Sequence, residues 1–276
     1  MQIPSISMLV IINPTKKMKY LGYFEFILCF GSAIGPVVGI ILYSFVGYFY
    51  MFLIIGLSFL IFFPLLKATI PVGIDESDNS TSNLIRNSTF RNDNSEQFQR
   101  ISYLKLFSDP VILLSSIGLI LISSALTYID PILSFRLQEF TDSLRVQSLV
   151  FSCCILGYSI NSLVVPFLAM YISPIKLIGV GLFSCGISNF FVGPSSILPN
   201  SIAIMTFGLL ASGLTMALAI VPQLPLWLKR AELKFPNQTR EASDMLSSIY
   251  SATFSFGQFL GPVYGGYFNE LIGYRN

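Results

Sequence analysis

The sequence predicts an all-α membrane protein of about seven transmembrane helices, and three observations carry that prediction. Charged residues make up 11% of the chain and hydrophobic residues 53%, with a mean hydropathy of +0.71, whereas a soluble domain is roughly 25% charged. Seven stretches are long and apolar enough to cross a hydrocarbon core about 30 Å thick, which takes about 20 helical residues. Stretches such as Phe52 to Leu66 lack the alternating polarity of a membrane β-strand.

The stretches are Tyr20 to Tyr43, Val46 to Leu66, Val111 to Phe135, Val146 to Ile172, Leu177 to Gly193, Ser201 to Leu228 and Met245 to Phe268. The first follows the basic cluster Lys16, Lys17 and Lys19 and carries Glu25 about two turns inside its end, at a pitch of ~5.4 Å per turn. An intramembrane carboxylate is costly and by default marks an ion or substrate path. The other reading is a side chain that snorkels to the interface or pairs with Lys17 or Lys19. No secretory signal peptide is visible, because the basic cluster follows the initial apolar residues rather than preceding them. The first span is then expected to act as the membrane signal.

The second stretch ends at Leu66, and a polar segment from Lys67 to Pro110 follows, too poor in apolar residues to bury a core. It is expected to be a cytoplasmic linker between two groups of helices, residues 1 to 66 and 111 to 276. The third stretch contains Ser123, Ser124, Thr127 and Tyr128 before Asp130-Pro131. On an unbroken helix Ser123, Thr127 and Asp130 share one face, a polar stripe suited to a cavity. The alternative is a solvated helix end.

The fourth and fifth stretches hold Asn161 and Asn189, and the sixth holds Gln223 between Pro222 and Pro225, which predicts a broken or kinked helix of the sort that lines a site. The four cysteines, Cys29, Cys153, Cys154 and Cys185, all lie within apolar stretches, where a thiol behaves as a small hydrophobe.

The seventh stretch repeats the first. Phe30 to Tyr48 and Phe256 to Tyr274 agree at 8 of 19 positions without a gap, and Gly31, Gly35, Pro36 and Gly39 align with Gly257, Gly261, Pro262 and Gly265 at an offset of 226 residues. Small residues in lipid-embedded helices let backbones approach closely, so both copies read as packing faces, as seals of a transport path, or as both. The offset spans six helices. Two six-helix repeats about an axis along the membrane normal are the geometry of major facilitator transporters. The expectation is therefore an incomplete fold of that type, one full period plus one helix, with the missing helices of a longer chain as partners.

Orientation follows from charge. With a cytoplasmic start, 13 of the 16 basic residues face the cytoplasm and only Arg136, Arg145 and Arg275 face the other side, as the positive-inside rule requires. Asn276 is then expected on the far side. The glycosylation patterns at Asn79, Asn87 and Asn237 fall on the cytoplasmic side and are read as chance matches. The chain has no histidine, no P-loop and no dinucleotide fingerprint. Nothing in it points to an enzyme, a cofactor, a metal or a nucleic-acid partner.

Several segments also resemble a known family. GSAIGPVVG at Gly31 to Gly39 and GQFLGPVYGG at Gly257 to Gly266 are similar to the antiporter motifs of the fifth and eleventh helices of major facilitator drug and amine exchangers. GYFEFILCFG with Glu25, ALTYIDPILSF with Asp130, GLTMALAIVPQLP and MLSSIYSATFSFG resemble the vesicular polyamine branch of the vesicular amine transporters. The resemblance runs along essentially the whole chain. It implies helices five to eleven of twelve and a cytoplasmic start.

It also implies a role in cation handling for Asp130, and it places Glu25 on the glutamate of the polyamine branch. Ser251 stands where the monoamine carriers have an aspartate, and Gly213 to Leu228 holds no carboxylate where they have another. An organic polycation fits better than a monoamine. The expected function is proton-coupled antiport of organic cations such as polyamines in a vesicle or plasma membrane, with Glu25, Asp130, Tyr128 and Gln223 binding substrate or proton. The alternatives are a membrane-embedded piece or partner protein that transports nothing, and a carrier of another small solute. A seven-helix receptor would need the opposite orientation and would leave the repeat unexplained.

Overall fold

Proline, aspartate and serine start several of these helices and glycine lets them touch. The computed structural model describes residues 17–69, 106–193, 199 and 201–272. Its helices are α1 (Lys17–Thr69), α2 (Pro110–Thr127), α3 (Asp130–Gln138), α4 (Leu144–Tyr171), α5 (Pro174–Val192), α6 (Ile202–Ile220), α7 (Gln223–Lys234) and α8 (Thr239–Ile272), with a 3-10 turn at Pro236–Gln238. No strand occurs among the described residues. Asp109 caps α2 by accepting the Val111 N–H at 2.9 Å, with Pro110 at the first helical position. That placement satisfies an otherwise orphaned donor where proline has none to lose.

The first two predicted spans form α1 together. Gly47, with φ 76° and ψ 178°, interrupts the helical track, a backbone conformation that only glycine adopts without strain. The apolar stretch Gly22–Pro64 has 43 residues, about 64 Å of helix at ~1.5 Å per residue, so its length serves two crossings.

The third predicted span is also split. α2 ends at Thr127 and α3 begins at Asp130 with Pro131 behind it. The sixth is split as its prolines predict, into α6 and α7 at Val221–Pro222. Proline has no N–H for the carbonyl four residues back, which is the physical cause of both breaks. Most of the linker expected at 67–110 lies outside the described residues.

By length and apolarity, five segments among the described residues qualify as membrane-crossing: Gly22–Pro64, Pro110–Leu133, Leu144–Tyr171, Pro174–Val192 and Ile202–Lys234. The seventh predicted span lies in α8 but is not among the five. Ser251, Ser255 and Gln258, which line the cavity described below, lower its apolarity.

The described residues fall into two compact units, one reaching to Ile40 and resuming from Ile101, the other Ile41–Arg100. In the second unit, most side chains described on α1 are exposed, among them Phe45, Tyr48, Phe59 and Phe63. Exposed aromatic and aliphatic surface of this extent is what hydrocarbon solvates and water does not.

In the first unit α6 packs against α4 and α5, and α8 against α2 and α7. Glycine sets the spacing where α6 meets α4 and α5 and where α8 meets α2. A Cβ at Gly213 would collide with the Cys154 carbonyl, and one at Gly157 would lie 2.5 Å from the Leu210 carbonyl, so α4 and α6 touch backbone to backbone. Asn161 reinforces that seam by donating to the Leu214 carbonyl. In lipid this close packing and hydrogen bonding, rather than water exclusion, holds helices together.

Candidate functional site

A cavity of about 900 Å³ opens within the first unit between α1, α3, α4 and α8, with α6 contributing Leu209 and Ile220. Its size lies at the upper end of small-molecule pockets. One face of each long helix supplies the wall. On α4 the lining residues are Leu144, Gln147, Ser148, Phe151, Cys154, Ile155 and Tyr158, spaced by three and four. On α8 they are Tyr250, Ser251, Phe254, Ser255 and Gln258. On α1 Glu25, Leu28, Cys29, Ser32, Pro36 and Ile40 follow the same period. That period puts residues on one side of a helix.

Both predicted carboxylates reach this cavity. Glu25, half-buried on α1, accepts a hydrogen bond from the Tyr158 hydroxyl at 3.3 Å. One residue on, Ser159 donates to the Phe26 carbonyl at 3.3 Å, and a Cβ at Gly22 would lie 2.8 Å from the Ser162 carbonyl. The pairs 22 with 162, 25 with 158 and 26 with 159 keep a nearly constant index sum, so α1 crosses α4 antiparallel with Glu25 aimed at Tyr158. Lys19, a partner considered for Glu25, instead stands 5.7 Å over the Tyr23 ring.

Asp130 lies at the first position of α3, exposed, on the wall of the same cavity. The backbone stays right-handed helical through Tyr128 and Ile129, and Asp130 lines the same cavity as Thr127. Thr127 lines the cavity and donates to the Gln258 carbonyl at 3.1 Å. Ser123 is fully buried and returns its hydroxyl to the Leu119 carbonyl at 2.7 Å.

The structure does not bring Tyr128 or Gln223 to the cavity. The Tyr128 hydroxyl donates to the Asn189 Oδ1 at 3.2 Å, and its ring stacks on Tyr264 with centroids 6.2 Å apart. Gln223 is fully buried beside the α6–α7 break, and neither its Oε1 nor its Nε2 meets a protein partner.

The two glycine copies stand in different surroundings. A Cβ at Gly261 would lie 2.5 Å from the Ser124 carbonyl and one at Gly257 2.6 Å from the Ile120 carbonyl, while one at Gly265 would strike the Tyr128 carbonyl, so the second copy is the seam between α8 and α2. Gly31, Gly35 and Gly39 have open space where a Cβ would point. Pro36 of the first copy lines the cavity, and Pro262 of the second is exposed within α8.

Sequence reasoning missed the aromatic side of the site. Tyr250 and Phe254 stack with centroids 6.3 Å apart, 10° from parallel, and both line the cavity with Tyr158 and Phe151. Aromatic faces attract ammonium groups. The signal was present as the three- and four-residue spacing of Phe151, Cys154 and Tyr158 and the four-residue spacing of Tyr250 and Phe254. It is inconspicuous among the 25 phenylalanines and 13 tyrosines of the chain. A cation entering the cavity therefore meets two carboxylates from different helices and several aromatic faces. Among the described residues no cluster of histidine, cysteine or acid side chains could hold a metal ion.

The model of the Major Facilitator Superfamily matches residues 3–235. Among curated proteins the chain is similar to the MFS-type transporter SLC18B1 of Homo sapiens, 28% identical over 277 residues that cover 98% of this chain and 56% of that protein. The proteins of the same description from Mus musculus and Rattus norvegicus are each 26% identical over the same shares. The chain spans about half the length of the curated relatives it matches.

Proposed function

The chain belongs to the major facilitator superfamily, a multi-pass membrane transport family, and on that premise we propose that it serves proton-coupled antiport of organic cations such as polyamines. The observation that carries the reading is the meeting of Glu25 and Asp130, 105 positions apart in sequence, on the wall of one aromatic-lined cavity. An organic ammonium stripped of water needs anionic and aromatic partners. A carboxylate that releases a proton as the ammonium arrives, and takes one back as it leaves, couples the two flows.

Glu25 holds the inner position, where the Tyr158 hydroxyl orients its carboxylate. Asp130 holds the other, at a helix break that leaves it accessible. The seam between α8 and α2 keeps the cavity wall in register as the protein alternates. The segment resemblances to the vesicular polyamine branch support this proposal.

The test is uptake of a labelled polyamine into proteoliposomes under an imposed pH gradient. It should be run with this chain alone and with the chain extended to the length of its relatives. Glu25→Gln and Asp130→Asn should each abolish gradient-driven uptake. Unchanged uptake and unchanged pH dependence in both variants would remove the two carboxylates from the mechanism.

A further inference from the structure

Tyr128 stands outside the cavity and is held from two sides. Its hydroxyl donates to the Asn189 Oδ1 on α5 at 3.2 Å, and its ring stacks on Tyr264 of α8 at 17° from parallel. Both holders are themselves fixed. The Asn189 amide N–H reaches the Cys185 Sγ at 3.7 Å, and that thiol lies 3.9 Å from the Ser212 hydroxyl of α6, so the carboxamide presents its oxygen to the tyrosine. The Tyr264 hydroxyl donates to the Ser124 Oγ at 3.1 Å. Gly265, with no Cβ to hold α8 away, lets that helix approach the Tyr128 backbone. Interhelical hydrogen bonds and close contacts of this sort orient helices in lipid.

Asp130 follows two residues on, and its direction depends on that of Tyr128. Both Tyr128 and Ile129 keep right-handed helical dihedrals, so the two side chains turn about the helix axis together. At ~100° per residue they point about 200° apart, on nearly opposite faces. Tyr128 is turned to α5 and α8, and Asp130 to the cavity. The backbone ladder is weakened at this point and leaves the rotation to side chains. Pro131 has no N–H for the Thr127 carbonyl, and the Ile132 N–H goes to the Ile129 carbonyl at 3.0 Å.

We propose that Tyr128, through its hydrogen bond to Asn189, is a positioning residue that aims the Asp130 carboxylate into the cavity. It touches no cation itself. The bond anchors the back of the helical turn to α5, and the carboxylate on the front of the same turn is thereby held to the wall. Without the hydroxyl the ring keeps its stack on Tyr264, but the turn loses its link to α5 and Asp130 rotates off the wall. The assignment rests on the reading that Asp130 receives an organic cation, and it names what holds the carboxylate where that cation arrives.

The test uses the full chain in lipid nanodiscs, with its four cysteines replaced by serine and Asp130→Cys introduced as a reporter. The rate of labelling by a cationic methanethiosulfonate measures how far the side chain at this position faces the cavity. Tyr128→Phe, which keeps the ring, and Asn189→Leu, which removes the acceptor, should each slow labelling by about fivefold. The two together should slow it no further, because both remove one contact. In the chain with its native cysteines, Tyr128→Phe should weaken tetraamine affinity by about fivefold and should have no effect in an Asp130→Asn background. A tyrosine that serves only the fold would lower the thermal midpoint and weaken binding equally in both backgrounds. Equal labelling rates with and without the Tyr128 and Asn189 substitutions, or a loss of affinity that persists undiminished without the carboxylate, overturns the proposal. Slowed labelling combined with unchanged tetraamine affinity in Asp130→Asn leaves the positioning contact standing and counts against the transport reading alone.

Discussion

The Tyr158 hydroxyl and the Glu25 carboxylate, 133 residues apart in sequence, meet at 3.3 Å where α4 crosses α1. This contact fixes the carboxylate against the cavity wall and leaves its second oxygen for a ligand. A hydrogen bond to an ionised group contributes about 1.5–3 kcal/mol. Tyr158→Phe should therefore weaken polyamine binding roughly tenfold or more while the cavity keeps its size. Isothermal titration of the purified chain against a tetraamine measures this, and equal affinity in the variant would mean that the tyrosine does not orient Glu25.

Asp130 should behave differently from Glu25 because it is exposed at a helix break. Asp130→Asn removes a cation partner without burying an unpaired group, so thermal stability in detergent should change by less than about 0.5 kcal/mol while polyamine affinity falls. A large loss of stability would assign Asp130 to the fold instead of the site.

The two glycine copies predict opposite outcomes for the same substitution. Gly261→Ala forces a methyl group against the Ser124 carbonyl and should cost about 1–3 kcal/mol by overpacking. Gly35→Ala meets open space in this chain and should be neutral or gain up to ~1 kcal/mol of helix propensity. Thermal unfolding of the two variants in one detergent decides it. Equal destabilisation would show that Gly35 too is packed.

The α4–α6 seam gives a third stability test. Asn161 bridges the helices through the Leu214 carbonyl, and interhelical hydrogen bonds in membranes are worth about 0.6–2 kcal/mol. Asn161→Leu should lower the unfolding midpoint by that order. Gly213→Ala, which drives a methyl group into the Cys154 carbonyl, should lower it further, and the reverse ranking would move the origin of the seam's stability from backbone contact to the side-chain bond.

Charge distribution predicts sidedness. Lys176 near the start of α5 and Lys229 on α7 are exposed cations on the cytoplasmic side of the expected orientation, and Arg145 lies on the other. In sealed inside-out vesicles, cysteines placed at 176 and 229 should react with an impermeant maleimide, and one placed at 145 should be protected until the vesicles are opened. The opposite pattern would invert the topology.

Much of this architecture was legible before any coordinates. Low charge and long apolar runs fixed the membrane class, since no other solvent accommodates such surface. Pro222 and Pro225 marked the α6–α7 break because a missing N–H acts locally, whatever surrounds it. Glu25 and Asp130 stood out because an ionisable group is rare in such company. Tyr128 and Gln223 stood out as polar side chains beside prolines or serines in apolar stretches, yet the fold turns Tyr128 to Asn189 and buries Gln223 outside the cavity.

Residue chemistry and local backbone rules thus determined the class of the protein, its breaks and its acidic candidates, because those properties act over one or two helical turns. Tertiary structure decided which of them share a cavity, which glycine copy is a seam and which aromatic residues form the wall. Those outcomes depend on how one helix crosses another, as α1 crosses α4, and the rotation of each helix about its axis is set by backbone contacts between residues far apart in sequence.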